Sequence, residues 1–227
     1  MHVFSCLYTV IDNHEVNGII IYINEEELIY MKYDHLKASD LVCVNVAAED
    51  SGEAIQVIKN KKIMEFDENT YAKLPGVNFH DGTIMVKVLS RLLPDAPEFA
   101  RGFIGIAFRI NKDDTAFESF YVRPTNGRIS DPIRLHRACQ YFSYPGYTFD
   151  YFRRNNILKY ENAADIGLNE WIQLKAVIKG SHGTFYVNDM DQPVLEVTDM
   201  KLGDSSGSIG IFVDIGTEGY FKDIEIL

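Results

Sequence analysis

The chain has 227 residues, 46% of them hydrophobic and 12% aromatic, and its formal net charge at pH 7 is -11. This length suits one large β domain or two small ones, with a sizeable core in either case. Because the acidic residues are spread over many short clusters and dense basic patches are missing, the charge argues against nucleic acid and against an anionic membrane as partners.

The N-terminal segment differs from the rest and ends in NEEELIYMK. Three successive Glu codons are rich in purines and stand three codons before Met31, which is how a bacterial ribosome-binding site reads when it is translated in frame. One hypothesis is that Met31 is the true start. The alternative is a genuine strand at residues 18–23 followed by an acidic helical turn. We treat residues 1–37 as an N-terminal extension and residues 38–227 as the folded domain.

Cysteine usage and the apolar runs set the expected compartment. Cys6, Cys43 and Cys139 are odd in number and form no Cys-x-x-Cys pair, which argues against a thiolate zinc site and a disulfide framework. No signal-like segment opens the sequence, and the longest apolar run, residues 18–23, is too short to span a bilayer. A reduced, cytoplasmic protein is the expectation.

From Leu41 onward the sequence predicts a succession of short strands. Each is rich in β-branched or aromatic residues and is separated from the next by Gly, Asp, Asn or Pro. The predicted strands are LVCVNVAA, EAIQVIK, GTIMVKVLS, GFIGIAFRI, FESFYVRP, RLHRACQYF, WIQLKAVIKG, GTFYVND, PVLEVTD, GSIGIFVDI and GYFKDIEIL. Short helices are expected only around EEELIYMKYDHL and YENAADI.

Side-chain alternation predicts how these strands assemble. Ile172, Leu174, Ala176 and Ile178 would point one way and the polar residues between them the other, as in a strand with one buried face. Ten or more such strands without a long linker predict an all-β fold, a two-sheet antiparallel β-sandwich of the jelly-roll type. The segment GSHGTFYVND predicts a hairpin with His182 in its turn.

Several motifs together resemble a known fold superfamily. They are FYVRPTNGR, RACQYFSYPGY, the pair Tyr160 and Glu161, EWIQLKAVIKGSHGTFYVND, PVLEVTDMKLG and GTEGYFKDIEI. Over about residues 40–227 the chain resembles the concanavalin A-like lectin/glucanase superfamily. Within it the resemblance is to largely uncharacterised bacterial proteins near the laminin-G-like and 3-keto-disaccharide hydrolase-type jelly rolls. The resemblance implies that a carbohydrate is bound, or cleaved by paired carboxylates, on the concave sheet.

The paired carboxylates of the superfamily's glucanases are not found. Their Glu-x-Asp-x-x-Glu pattern is absent, although retaining hydrolysis needs two carboxyl groups about 5 to 5.5 Å apart. An enzyme would have to use Glu118 with an acid from another strand, such as Asp214. Glu118 shares a strand face with Phe120 and Val122, so it is expected to be buried, either as an acid of raised pKa or as the partner of an arginine.

Candidate ligand-binding residues lie on two predicted strands. Tyr121 and Arg123 share a face and can hydrogen-bond a hydroxylated ligand, although Arg123 could instead fix the turn at residues 124–127. The next strand would place His136 and Gln140 on one polar face. Such residues are costly to bury, so this face is expected to be a solvated groove. His136 is either a base or an exposed strand residue.

The stretch after these strands is crowded with rings. Seven of the twelve residues 141–152 are Tyr or Phe. Tyr141, Tyr144 and Tyr147 are candidates for packing on a sugar, because a phenol adds a hydrogen-bonding tip to an apolar ring. The phenylalanines are expected to pack in a turn and a following strand. No metal spacing is found, so no metal or cofactor is expected.

Three functions therefore stay open. A groove of Tyr, Gln and Arg would indicate a carbohydrate-binding domain, which is the favoured prediction. Two co-facing carboxyls in a groove would indicate a glycoside hydrolase. A flat or filled concave face would indicate a non-catalytic interaction domain.

Overall fold

The computed structural model describes residues 18–22, 28–49 and 52–227. The strands of this part are β1 Gly18–Tyr22, β2 Leu28–Lys32, β3 Lys37–Ala38, β4 Val42–Glu49, β5 Gly52–Lys59, β6 Tyr71–Lys73, β7 Gly82–Leu92, β8 Ile104–Ile110, β9 Phe117–Val122, β10 Cys139–Tyr144, β11 Glu161–Asn162, β12 Ile172–Lys179, β13 His182–Val187, β14 Leu195–Val197, β15 Ser208–Val213 and β16 Thr217–Ile226. The helices are α1 Pro132–Leu135 and α2 Phe149–Arg154, with 3-10 turns at Tyr33–His35 and Pro124–Asn126. No helix of the described residues has the length and apolar character needed to cross a membrane.

The strands form two sheets. The nine-stranded sheet has the order β14-β13-β12-β7-β16-β1-β2, with β5 beside the first half of β16 and β4 beyond β5. The seven-stranded sheet has the order β11-β10-β9-β8-β15-β6-β3. This is the predicted all-β sandwich of the jelly-roll type. One pair in the described strands departs from the antiparallel prediction, since β1 runs parallel to β16.

The core lies between the sheets and follows the predicted alternation. In β12 Ile172, Leu174, Ala176 and Ile178 are buried, and the residues between them are partly exposed. Across the interface Phe185 of β13 stacks on Phe120 of β9 with ring centroids 4.5 Å apart. Alternating apolar residues therefore bring the two sheets together.

The seven-stranded sheet is covered on its outer face as well. Every residue of β8 and of β9 is buried. Tyr121 on the outer face packs against Phe103, and Phe103 in turn packs against Phe66 of the segment between β5 and β6. This sheet therefore lies between the main core and an outer layer of loops.

Several local predictions are wrong. The segment RLHRACQYF is not one strand, because Asp131 caps α1 by accepting hydrogen bonds from the N–H groups of Ile133 at 2.9 Å and Arg134 at 3.3 Å. With Pro132 at the first helical position, residues 132–135 form a helix and the strand begins only at Cys139. The strand predicted after the aromatic turn is helix α2.

Two further corrections concern predicted helices and a turn. The segment around YENAADI contains the short strand β11 instead of a helix, and the segment around residues 28–35 is β2 followed by a 3-10 turn. The hairpin at residues 180–189 is confirmed, but His182 is the first residue of β13 and not part of the turn.

Part of the N-terminal extension belongs to the nine-stranded sheet. Ile19 of β1 is fully buried and lies opposite Ile224 of β16, and β1 also pairs with β2. Residues 1–17 and 23–27, with Cys6 and most of the predicted acidic turn, lie outside the described residues. The boundary at residue 37 and the start at Met31 stay predictions.

Candidate ligand-binding pocket

Tyr121, Arg123 and Gln140 lie together, as the sequence predicts, but they are buried. Their exposed fractions are 1%, 3% and 0%. Tyr121 of β9 lies directly opposite Gln140 of β10 and donates a hydrogen bond to its Oε1 at 3.2 Å. Arg123 Nη2 donates to both side chains. Burial raises the pKa of Tyr121 well above its usual value.

The prediction of a solvated groove on this face is wrong, because aromatic side chains fill the space above the sheet. Tyr121 packs against Phe103, Phe142 and Phe212 with centroid distances of 6.2, 5.6 and 5.7 Å. The polar row of Tyr121 and Gln140 is thereby sealed beneath an aromatic layer. A glycan cannot lie across this part of the sheet.

Glu118 and Asp214 are not brought together. Glu118 accepts hydrogen bonds from the Tyr141 hydroxyl and from Leu202 N at 2.7 Å, and burial raises its pKa to about 6. Asp214 forms a buried salt bridge with Lys59 at 2.6 Å. Glu118 lies opposite Phe108 of β8. Asp214 directly follows Val213, which lies opposite Ile104 at the other end of β8. The backbone positions of Glu118 and Asp214 are thus separated by roughly 16 Å along the strands, at about 3.3 Å per residue.

The other predicted site residues lie apart from Arg123. Tyr141 is fully buried, and its hydroxyl donates a hydrogen bond to Glu118. Tyr144, at the far end of β10 from Gln140, stacks on Phe117 at 5.3 Å. Tyr147 is exposed, and His136 is exposed at the end of α1. These four side chains do not form one site with Arg123.

Beside Arg123 the loops enclose a cavity of about 230 Å³, which we name the arginine pocket. Its lining residues are Phe66, Phe99, Arg101, Phe103, Arg123, Asn126, Arg134, Arg137, Phe149 and Arg153. They come from the segments before β6 and β8, from the loop between β9 and β10, and from α2. Of these residues, sequence reasoning selected only Arg123. The arginine-rich loop at residues 123–137 was the signal that could have found two more.

Three of the arginines share one carboxylate. Glu161 of β11 is buried and lies 3.0 Å from Arg123 Nη1, 2.7 Å from Arg153 Nη2 and 3.6 Å from Arg137 Nε. Glu161, the acid of the Tyr-Glu pair noted in the sequence, therefore orients these three arginine side chains. One negative charge among three guanidinium groups leaves most of their charge unbalanced.

The other two arginines have no carboxylate within 4.0 Å among the described residues. Arg134 donates from Nε and Nη2 to Asn126 Oδ1 at 3.1 and 3.0 Å. Arg101 Nη1 donates to the carbonyls of Glu98 and Ala100 at 2.6 and 2.8 Å. Burial lowers the pKa of Arg101, and the nearby charges of Arg134 and Arg123 lower it further.

A second part of the pocket wall is aromatic. The Phe66 ring lies 5.4 Å from Phe99, 6.2 Å from Phe103 and 5.2 Å from Phe149. The Arg153 guanidinium lies 4.7 Å above the Phe149 ring. Phe99 is 42% exposed, which is unusual for so large an apolar side chain. The pocket therefore combines a cationic wall with an apolar one.

A buried carboxyl holds this aromatic wall in place. Asp67, next to Phe66, accepts a hydrogen bond from Phe149 N at 2.9 Å, and its own N–H donates to Asp214 Oδ2 at 3.0 Å. Burial, and then the charge of Asp214, raise the pKa of Asp67 to about 7. Arg123 and Arg153 oppose this rise. The pKa of Asp67 therefore depends on the charges of two arginines that line the pocket.

One group of side chains in the described residues could hold a metal ion. Ligand atoms of His80, Asp81 and Asp204 lie within 4.8 Å of one another, and all three residues are exposed. His80 Nε2 lies 2.7 Å from Asp204, while Asp81 accepts hydrogen bonds from Gly180 N and from buried Arg109. These contacts show that the three side chains connect neighbouring loops through hydrogen bonds and an ion pair.

No protein-family model matches the sequence, and no curated protein matches it either. The solved carbohydrate-binding module CBM66 from Bacillus subtilis is similar, with a TM-score of 0.53 and 16% identity over 82% of this chain and 94% of that one. A protein of unknown function with a galectin-like fold, also from Bacillus subtilis, has a TM-score of 0.48 and 12% identity over 81% of this chain and 86% of that one. The chain has a two-sheet β-sandwich fold of the jelly-roll type, similar to that of the CBM66 module.

Proposed function

We propose that this protein is a non-catalytic carbohydrate-binding domain whose ligand enters the arginine pocket. The observation that carries the proposal is the pairing of an exposed aromatic wall with fixed guanidinium donors in one cavity. Sugar rings present C–H faces that pack on aromatic planes, and their vicinal hydroxyls accept hydrogen bonds from a guanidinium fork. The pocket therefore replaces the sheet face as the proposed site.

The size of the pocket suits one sugar residue. Its volume of about 230 Å³ is smaller than the roughly 300 to 1,000 Å³ of pockets that hold drug-sized ligands. The end of a glycan fits such a cavity better than a chain lying along a sheet. A solved neighbour is named a carbohydrate-binding module and has the same fold, which supports this function.

Binding is favoured over hydrolysis by the positions of the acids. Among the described residues none that lines the pocket is acidic, and Glu118 and Asp214 are too far apart for either stereochemical course of glycoside cleavage. The second candidate function is an interaction domain without a sugar ligand. It is favoured by the filled outer face of the seven-stranded sheet.

Glycan-array binding by the purified protein tests the proposal. Phe99→Ala and Arg134→Ala alter the two walls of the pocket, and Arg128→Ala removes a surface arginine that pairs with Asp165 and Glu170. Wild type and the Arg128 variant should bind the same glycans, and both pocket variants should lose signal. Absence of binding to every glycan would overturn the proposal and favour the interaction domain.

A further inference from the structure

We infer that the ligand of the arginine pocket is an acidic sugar, whose ring packs on the phenylalanine wall and whose carboxylate is held by Arg101 and Arg134. This inference rests on the proposed carbohydrate-binding function and adds the chemical class of the ligand. A uronic acid at the end of an oligosaccharide is the simplest molecule of this class.

The arginine pocket concentrates positive charge. Five arginines line the pocket, and Glu161 is the one carboxylate that pairs with any of them within 4.0 Å among the described residues, so positive charge is in excess there. The whole chain carries a net charge of -11, so this concentration of positive charge opposes the overall sign. Clustered, partly buried like charges are costly unless something neutralises them. Their presence in a cavity indicates a bound anion.

Several N–H groups of the pocket arginines have no hydrogen-bond partner in the described part of the chain. Arg101 uses only Nη1 and Arg134 uses Nε and Nη2, so Arg101 Nε and Nη2 and Arg134 Nη1 make no hydrogen bond to any described residue. Arg153 Nε is buried and also lacks a partner in that part of the chain. Guanidinium groups with open N–H donors fit the two oxygens of a carboxylate.

The pocket also has an apolar wall that is partly exposed to solvent. A small free anion would satisfy the arginines but leave Phe99, which is 42% exposed, facing water. A ring that bears a carboxylate satisfies both walls at once, because its C–H face covers the phenylalanines while its charge meets the guanidinium groups. The arginines come from three separate segments, so the charge is a property of the assembled cavity.

Isothermal titration calorimetry with matched sugars tests the inference. The ligands are glucuronate and galacturonate, the neutral sugars glucose and galactose, glucose 6-phosphate and inorganic phosphate. The acidic sugars should bind at least about tenfold more tightly than their neutral counterparts, the effect of one charge-assisted hydrogen bond. Their affinity should fall as salt is added.

Variants separate the charge from the fold. Arg134→Gln and Arg101→Gln should each weaken uronate binding about tenfold and weaken neutral-sugar binding by no more than about threefold, because a hydroxyl loses only an ordinary hydrogen bond where a carboxylate loses a charge-assisted one. Arg128→Gln, which removes an exposed arginine outside the pocket, should change neither affinity. Circular dichroism and the Tm of each variant show whether the fold is kept, and two independent variants keep the test decisive if one fails to fold.

Three other outcomes of these titrations would contradict the inference. Equal affinity for acidic and neutral sugars would overturn the acidic class and leave carbohydrate binding intact. Tighter binding of glucose 6-phosphate than of glucuronate, lost in the Arg134 variant, would replace the carboxylate by a phosphate ester. Binding of inorganic phosphate alone, or of none of these ligands, would overturn the inference, whereas the proposed function would be overturned only if the glycan array also showed no binding.

Discussion

Arg123 Nη2 donates a hydrogen bond to Gln140 Oε1, while Gln140 Nε2 has no hydrogen-bond partner among the described residues. Oε1 also accepts from the Tyr121 hydroxyl, so turning the amide would place its N–H groups against two donors. The orientation of Gln140 is thus determined by Arg123, at the cost of one unpaired donor.

Gln140→Leu should lower the free energy of unfolding by about 1 to 3 kcal/mol, because the acceptor of a buried guanidinium is lost. Gln140→Glu should keep or raise stability at pH 7, since it supplies an acceptor and removes the unpaired N–H. Urea denaturation measures both changes, with Gln173→Leu on the partly exposed face of β12 as the control. A Leu variant as stable as wild type would contradict this account.

Glu161→Gln should destabilise the protein by about 3 to 5 kcal/mol, because it leaves three guanidinium groups without their shared carboxylate. The matched control is Glu170→Gln, which removes a surface partner of Arg128 and should cost no more than about 1 kcal/mol. Chemical denaturation compares the two. Equal losses would mean that Glu161 does not hold the pocket together.

Acidification should stabilise the protein through Asp67. Its pKa in the folded state is about 7, above the usual value of 3.8, so the folded protein holds a proton that the unfolded chain releases between these values. Its contribution to stability is present at low pH and is lost as pH rises towards 7. Asp67→Asn should flatten this dependence in denaturation measured from pH 5 to 8.

The control for Asp67 is Asp165→Asn at the surface, which should leave the slope of stability against pH unchanged. Asn retains an oxygen that can accept the hydrogen bond from Phe149 N, so the wall of the pocket is kept. The same slope in the Asp67 variant and in wild type would show that this carboxyl does not titrate near neutrality.

Affinity for an acidic sugar should also depend on Asp67. The negatively charged form of Asp67 is disfavoured by Asp214, which pairs with Lys59, and is favoured by Arg123 and Arg153. A bound carboxylate disfavours a second negative charge nearby, so uronate should bind about twofold to tenfold more tightly at pH 6 than at pH 8. Asp67→Asn should remove this difference in calorimetric titrations.

Much of the fold could be predicted because alternation is a local property of the chain. The buried and exposed positions of β12 are evident from residues 172–178 alone, and the burial of Glu118 agrees with its neighbours Phe120 and Val122. The strand predicted through residues 134–142 failed because the helix start at Asp131 and Pro132 outweighed the strand-like composition of the segment after it.

The site could not be predicted in the same way. Alternation assigns Tyr121 and Gln140 to one face of the sheet but cannot say which residues cover that face, and here Phe103 and the segment with Phe66 do so. The arginine pocket is assembled from side chains as distant in sequence as Phe66 and Arg153. Only the folded loops bring them together.

The double covering of β8 and β9 has a consequence for hydrogen exchange. Amides in these strands are shielded from solvent on both faces, so they should exchange only when the whole domain unfolds. The loop that carries Arg101 and the short helices that carry Arg134 and Arg153 lie outside this shielded region and should open at lower free energy. The strands beneath the pocket should therefore exchange slowly, and the segments that line it should exchange faster. A bound ligand would slow hydrogen exchange mainly in those lining segments.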